Sequence, residues 1–179
     1  MNSLTAKAYF SGFELAHDTY NAITAASNGK LYYVLCSESY DIGGQMYAYD
    51  PTTDQTEWIA DLTEICGEKD ANAIPQGKSH VRFYESNSKL YFATHIGVYE
   101  MIDGMERLPQ NAPNGKSLYP GGHFLSYDLA TGAFEDLAVA PEGEGILTMT
   151  IDRERGHLYG ITWPLGYFIH YDISTKTLK

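Results

Sequence analysis

The stretch HFLSYDLATGAFE, residues 123–135, decides the fold because it returns as QMYAYDPTTDQTE at 45–57 and as YFIHYDISTKTLK at 167–179. Each copy carries a Tyr-Asp pair (Tyr49-Asp50, Tyr127-Asp128, Tyr171-Asp172) with a threonine three residues beyond the aspartate, at Thr53, Thr131 and Thr175. An aspartate leaving a strand accepts hydrogen bonds from backbone amides two or three residues on and so starts a turn. Strand, aspartate turn, strand is a hairpin.

Upstream of each hairpin lies a second recurring element: Lys30-Leu31-Tyr32-Tyr33-Val34, Lys89-Leu90-Tyr91-Phe92-Ala93 and His157-Leu158-Tyr159-Gly160-Ile161. Each follows a polar turn. Adding the stretch before each Leu-Tyr pair and the one after each aspartate turn gives four consecutive antiparallel strands per unit, here termed A to D. The reference leucines, Leu31, Leu90 and Leu158, stand 59 and 68 residues apart, so the units contain insertions.

Repeated four-strand meanders of this kind resemble the blades of β-propellers, the class that includes the kelch and WD40 proteins. The resemblance implies an all-β fold with blades over about 21–62, 79–138 and 146–179. The last strand of the third blade is expected to be missing or supplied by 6–15. Closed propellers need about four blades or more. Part of a ring is therefore expected, and a homodimer of two three-bladed chains would complete a six-bladed one. The WD40 Gly-His and Trp-Asp signatures and a paired glycine in every blade are not present.

Composition agrees with many short strands: the 179 residues include 15 Tyr, 7 Phe and 17 Gly. The formal charge of −11 argues against nucleic acid or an anionic membrane as partner, since both call for a basic surface. No apolar run is long enough to span a bilayer as a helix. Two cysteines, Cys36 and Cys66, are expected as free thiols, and the chain without a recognisable signal segment is expected in the cytoplasm.

In an antiparallel meander the start of A, the end of B and the start of C share one end. The repeat places Asn21, His80 and Thr148 at the start of A, Cys36, His95 and Trp163 at the end of B, and Gln45, His123 and Tyr167 at the start of C. The second unit has histidine at all three positions. Neutral imidazoles are common ligands of divalent metals, so Zn or Mn on this rim is a natural expectation. With Gln76 four residues before His80, the set resembles the metal site of oligogalacturonate lyases. That resemblance implies His80, His95, His123 and Gln76 as ligands, with Arg82 or Lys78 meeting a uronate.

The insertion at 96–122, containing Tyr99, Arg107, Lys116 and Tyr119, reaches the same rim and reads as a lid or binding loop. Trp163 and Tyr167, with Tyr40, could form a stacking platform for a sugar. Gln76-Gly77-Lys78-Ser79 lacks the first glycine of a phosphate-binding loop, and no nucleophile elbow is present. The leading expectation is a binding module for a glycan, another small ligand or a protein. The alternative is a metal-dependent, lyase-like carbohydrate-active enzyme.

Overall fold

A computed structural model describes residues 6–113 and 115–179. The chain is all-β, built on three four-stranded antiparallel sheets. The first contains β1 (Ile23–Ala25), β2 (Leu31–Leu35), β3 (Gln45–Asp50) and β4 (Gln55–Asp61) in sequence order. One helical turn, α1 (Leu62–Ile65), follows, its amides capped by Asp61. The second sheet begins with β5 (Tyr84–Ser86) and β6 (Lys89–Ala93). The insertion then forms its own hairpin, β7 (Glu100–Ile102) with β8 (Met105–Arg107), before β9 (His123–Asp128) and β10 (Phe134–Val139) complete the sheet in the order β10-β9-β6-β5. The third comprises β11 (Gly145–Asp152), β12 (His157–Trp163), β13 (Phe168–Asp172) and β14 (Thr177–Leu178).

The aspartate turns work as their chemistry dictates. Asp50 Oδ1 accepts from the Thr52 amide at 2.8 Å, Asp128 Oδ1 from Ala130 and Thr131, and Asp172 Oδ1 from Ser174 and Thr175. Four residues beyond each aspartate the backbone turns left-handed, at Asp54, Gly132 and Lys176. Only the second unit uses glycine, for which that conformation is free of steric strain.

The fourth strand of the third sheet is therefore neither missing nor supplied by 6–15. Thr177–Leu178 pairs with Asp172 and Tyr171, and Lys179 exchanges two 2.8 Å backbone hydrogen bonds with His170. The 6–16 segment instead lies on the first sheet. Tyr9 packs on Tyr49 with ring centroids 5.3 Å apart, Ser11 Oγ meets the Tyr33 hydroxyl at 2.7 Å, and Ala16 bridges to Ser37.

Strand alternation sends one set of side chains toward the middle sheet. In β2, Tyr32 and Val34 are buried while Leu31, Tyr33 and Leu35 are half-buried. Tyr32 meets Tyr127 of the second sheet at 5.6 Å, and Phe124 on the opposite face of that sheet lies 6.5 Å from Tyr171 of the third. Gly160 makes this second contact possible, because a Cβ there would come within 2.9 Å of Phe124. One apolar cluster, including Val34, Met46, Leu90, Phe92, Phe124, Ile146 and Leu158, runs through all three sheets.

The segment before β5 threads across the sheet ends. The Gly77 carbonyl accepts from the Ser37 amide, while Lys78 and His95 exchange backbone hydrogen bonds of 2.9 and 2.7 Å. Gly77 and Gly97 admit this approach: a Cβ on Gly97 would reach 2.1 Å from the Ser37 carbonyl. Lys78 is thereby pinned at the junction of the first two sheets. No helix among the described residues is long and apolar enough to cross a membrane.

Candidate functional site

A pocket of about 690 Å³ opens over this junction. Its floor is Lys78, whose side chain is only 2% exposed and whose ammonium lies 2.9 Å from Glu38 Oε1 and 3.0 Å from Asp18 Oδ1. The same ammonium sits 4.9 Å from the centre of the Tyr99 ring. Burial alone would lower the Lys78 pKa, but the hydrogen bonds that its ammonium donates to Glu38 and Asp18 outweigh it and raise it above the ordinary lysine value. Asp18 shows the counterpart: partial burial pushes it up, yet hydrogen bonds from His17 and Lys78 prevail and hold it at about 2. Lys78 is a fixed cation, not a nucleophile.

Rings make up much of the rest of the lining. Tyr20 packs on His80 at 4.6 Å, His80 meets His95 edge-on at 4.6 Å, and His95 lies 5.6 Å from Trp163. Tyr99 closes the group, 5.1 Å from Trp163, and its hydroxyl stands 3.5 Å from His80 Nε2. Burial, assisted by the nearby Lys78 charge, depresses His80 to about 4. Burial likewise depresses His95 to about 3, against the opposing hydrogen bond to the Ile96 carbonyl. Both are neutral at physiological pH. His95 Nδ1 is within 2.9 Å of that carbonyl and must donate to it, so the unpartnered His95 Nε2 carries a free lone pair.

The three histidines of the second unit do not converge. His123 belongs to a separate polar knot beneath the insertion, with Nδ1 2.9 Å from Asp136 and Nε2 2.8 Å from Glu68. Burial would lower its pKa, but Asp136, Cys66 and Glu68 raise it to about 12, making it an imidazolium. With both nitrogens occupied by carboxylates it has no lone pair for a metal. Gln76 is equally committed. Its Oε1 accepts from Thr94 and Tyr119 at 2.7 and 2.6 Å, and its Nε2 donates to Glu68 and Gly121 at 2.9 and 2.8 Å. The expected Zn or Mn ligand set is thus split, because strand alternation and the α1 loop draw His123 and Gln76 to a different center from His80 and His95.

The remaining expected residues divide as well. Lys78 and Trp163 line the pocket. Arg82 is exposed in a shallow hollow beside Glu85 and Arg153, away from it. Tyr119 is buried and tied to Gln76. Tyr167 donates its hydroxyl to Glu142 at 2.8 Å and does not line the pocket. With Lys78 already partnered and Arg82 elsewhere, no free cation among the described residues awaits a uronate at this pocket.

Asp18, Tyr20, Glu38 and Glu106 were not singled out by sequence reasoning, yet all line the cavity. Glu38 follows the end of strand B by two residues and Tyr20 precedes Asn21 at the start of A, so the rim argument could have reached both. Asp18 arrives from the N-terminal segment and Glu106 from β8, whose positions no repeat specifies. His17, Asp18 and Glu38 bring three ligand-type atoms within 4.8 Å of one another. The Lys78 ammonium already contacts the same two carboxylate oxygens, which accounts for this grouping without an ion.

Comparison with known proteins adds fold and no family. No family model matches the chain, and no curated protein matches it. The crystal structure of TolB from Acinetobacter baumannii, a β-propeller, superposes with a TM-score of 0.50 at 12% identity, over 93% of this chain and 32% of TolB. The chain thus spans about a third of the length of that structure. A candidate 6-phosphogluconolactonase from Bacteroides uniformis aligns at 13% identity with a TM-score of 0.37, covering 88% of this chain and 54% of that one. The extracellular domain of a candidate hybrid two-component system from B. thetaiotaomicron aligns at 14% identity with a TM-score of 0.30, over 95% and 28% of the two chains. At these identities, the TolB likeness speaks to a propeller-like fold alone.

Proposed function

We propose that this chain is an arc of three β-propeller blades that binds a small polyhydroxylated ligand, such as a glycan, in the pocket above Lys78. The observation that carries this reading is the pairing of aromatic rings with convergent polar groups in one cavity: Tyr20, Tyr99 and Trp163 beside Lys78, Asp18 and Glu38. Sugar rings present apolar C–H faces that stack on aromatic rings, and hydroxyls that need both donors and acceptors. Binding sites generally combine such walls with a few convergent polar groups.

The test is calorimetric titration with a panel of neutral, amino and acidic oligosaccharides against the protein and its Trp163→Ala variant. Trp163 is only partly buried, so the variant should retain the fold and lose affinity by roughly 10-fold or more. Unchanged affinity would remove the pocket from the binding event.

The blade reading is supported by the facing rule seen twice within the chain. The tyrosines of the second and third Tyr-Asp pairs each point toward the preceding sheet, Tyr127 to Tyr32 and Tyr171 to Phe124. The far face of the third sheet leaves Ile161 44% and Phe168 67% exposed, as a blade lacking its successor would. A second copy, placing its first sheet with the 6–16 segment against that face, would extend the arc toward a closed six-bladed ring. Sedimentation equilibrium giving the mass of one chain at high concentration would refute this homodimer.

A further inference from the structure

We infer that the ligand suited to this pocket carries a protonated amine on a hydroxylated ring, as a hexosamine does; this rests on reading the pocket as a carbohydrate site. Three carboxylates line the cavity, those of Asp18, Glu38 and Glu106, against the single ammonium of Lys78. Asp18 and Glu38 share that ammonium. The Glu106 carboxylate, carried in on β8, has no ion-pair or hydrogen-bond partner among the described residues, and the residue is exposed. The cavity therefore holds an excess of negative charge beside π faces, and both features attract an organic cation.

A second, independent observation calls for a hydrogen-bond donor on the ligand. His95 lines the pocket, is 1% exposed, and has an Nε2 with no hydrogen-bond partner among the described residues. Its Nδ1 lies against the Ile96 carbonyl, so the free nitrogen is an acceptor. A buried acceptor without a partner is costly, and a ligand N–H or O–H that reaches it after a small shift of the ring would relieve that cost. An anionic sugar opposes the charge of the cavity, because it would have to displace Asp18 or Glu38 from Lys78 while meeting Glu106.

The decisive experiment titrates the protein with a glucosamine disaccharide, its uncharged N-acetylated counterpart and a uronate-containing disaccharide, at low and high salt. The amine should bind roughly 10-fold tighter than the N-acetylated form near 20 mM salt, and the ratio should shrink toward about 3-fold near 300 mM as screening sets in. Glu106→Gln should narrow the ratio at low salt, whereas Glu154→Gln, an exposed change in the turn between β11 and β12, should not. Equal or tighter binding of the N-acetylated or uronate sugar would overturn the amine assignment while leaving the carbohydrate reading intact. Binding of none of the three at millimolar concentration would remove the carbohydrate reading, and the amine assignment with it.

Discussion

His95 and His123 occupy corresponding rim positions of neighbouring strands in the same sheet, yet they end in opposite states. Thr94 links them, its amide donating to the His123 carbonyl and its hydroxyl accepting from the His123 amide. His95 lies among rings and against Gly145, with no carboxylate partner among the described residues, and burial leaves it neutral. His123 lies between Glu68 and Asp136 and becomes a cation despite burial. Residue type at a strand end thus says little about charge; the loops that arrive above it decide. The α1 loop delivers Glu68 to one histidine, and the insertion delivers Tyr99 to the other.

The largest effect should come from breaking the ionic side of this pair. His123→Ala leaves Glu68, 11% exposed, without its cation and is expected to cost about 2–4 kcal/mol in urea unfolding. A cost below about 0.5 kcal/mol would mean that the knot contributes nothing measurable.

Next is the opposite pH dependence of the two environments. His123 has a folded pKa raised to about 12, so its contribution to stability is complete below the unfolded value near 6.5 and declines as pH rises toward 12. His80 and His95 are depressed to about 4 and about 3, so their contribution is complete above about 6.5 and is lost as pH falls through that value toward 3. Histidine-selective NMR should find one imidazolium persisting above pH 9 and two neutral rings persisting below about pH 5. Three rings titrating together near 6.5 would erase the contrast.

The smallest effect sharpens the neutral side. His80 makes only a 3.5 Å approach to Tyr99 and ring contacts with Tyr20 and His95. His80→Asn should change stability by less than about 1 kcal/mol while weakening ligand binding. Stability lost on the scale of His123→Ala would make His80 a structural residue like its neighbour.

Much of the architecture was legible because it is written in local chemistry. The Tyr-Asp-x-x-Thr pattern encodes its own turn, and Leu31-Tyr32, Leu90-Tyr91 and Leu158-Tyr159 each mark a strand whose alternation is set by two-residue periodicity. The same local rules identified the rim and placed His80, His95 and Trp163 on it, while Lys78 entered only through the resemblance to the lyases. They could not tell that Gln76 and His123 would be consumed by Glu68, because that carboxylate comes from a loop 55 residues before His123 with no counterpart in the other units.

By itself, then, the sequence determined three recurring meanders, the aspartate turns within them and the end of the sheets where loops gather, since each depends on contacts between residues close along the chain; the fourth strand of the third, Thr177–Leu178, came only from the structure. Tertiary structure alone decided that the 6–16 segment covers the first sheet, that Asp18 and Glu38 clasp Lys78, and that the histidine trio divides. Those outcomes depend on which distant segments reach a buried charge or lone pair first, and desolvation then makes each pairing exclusive.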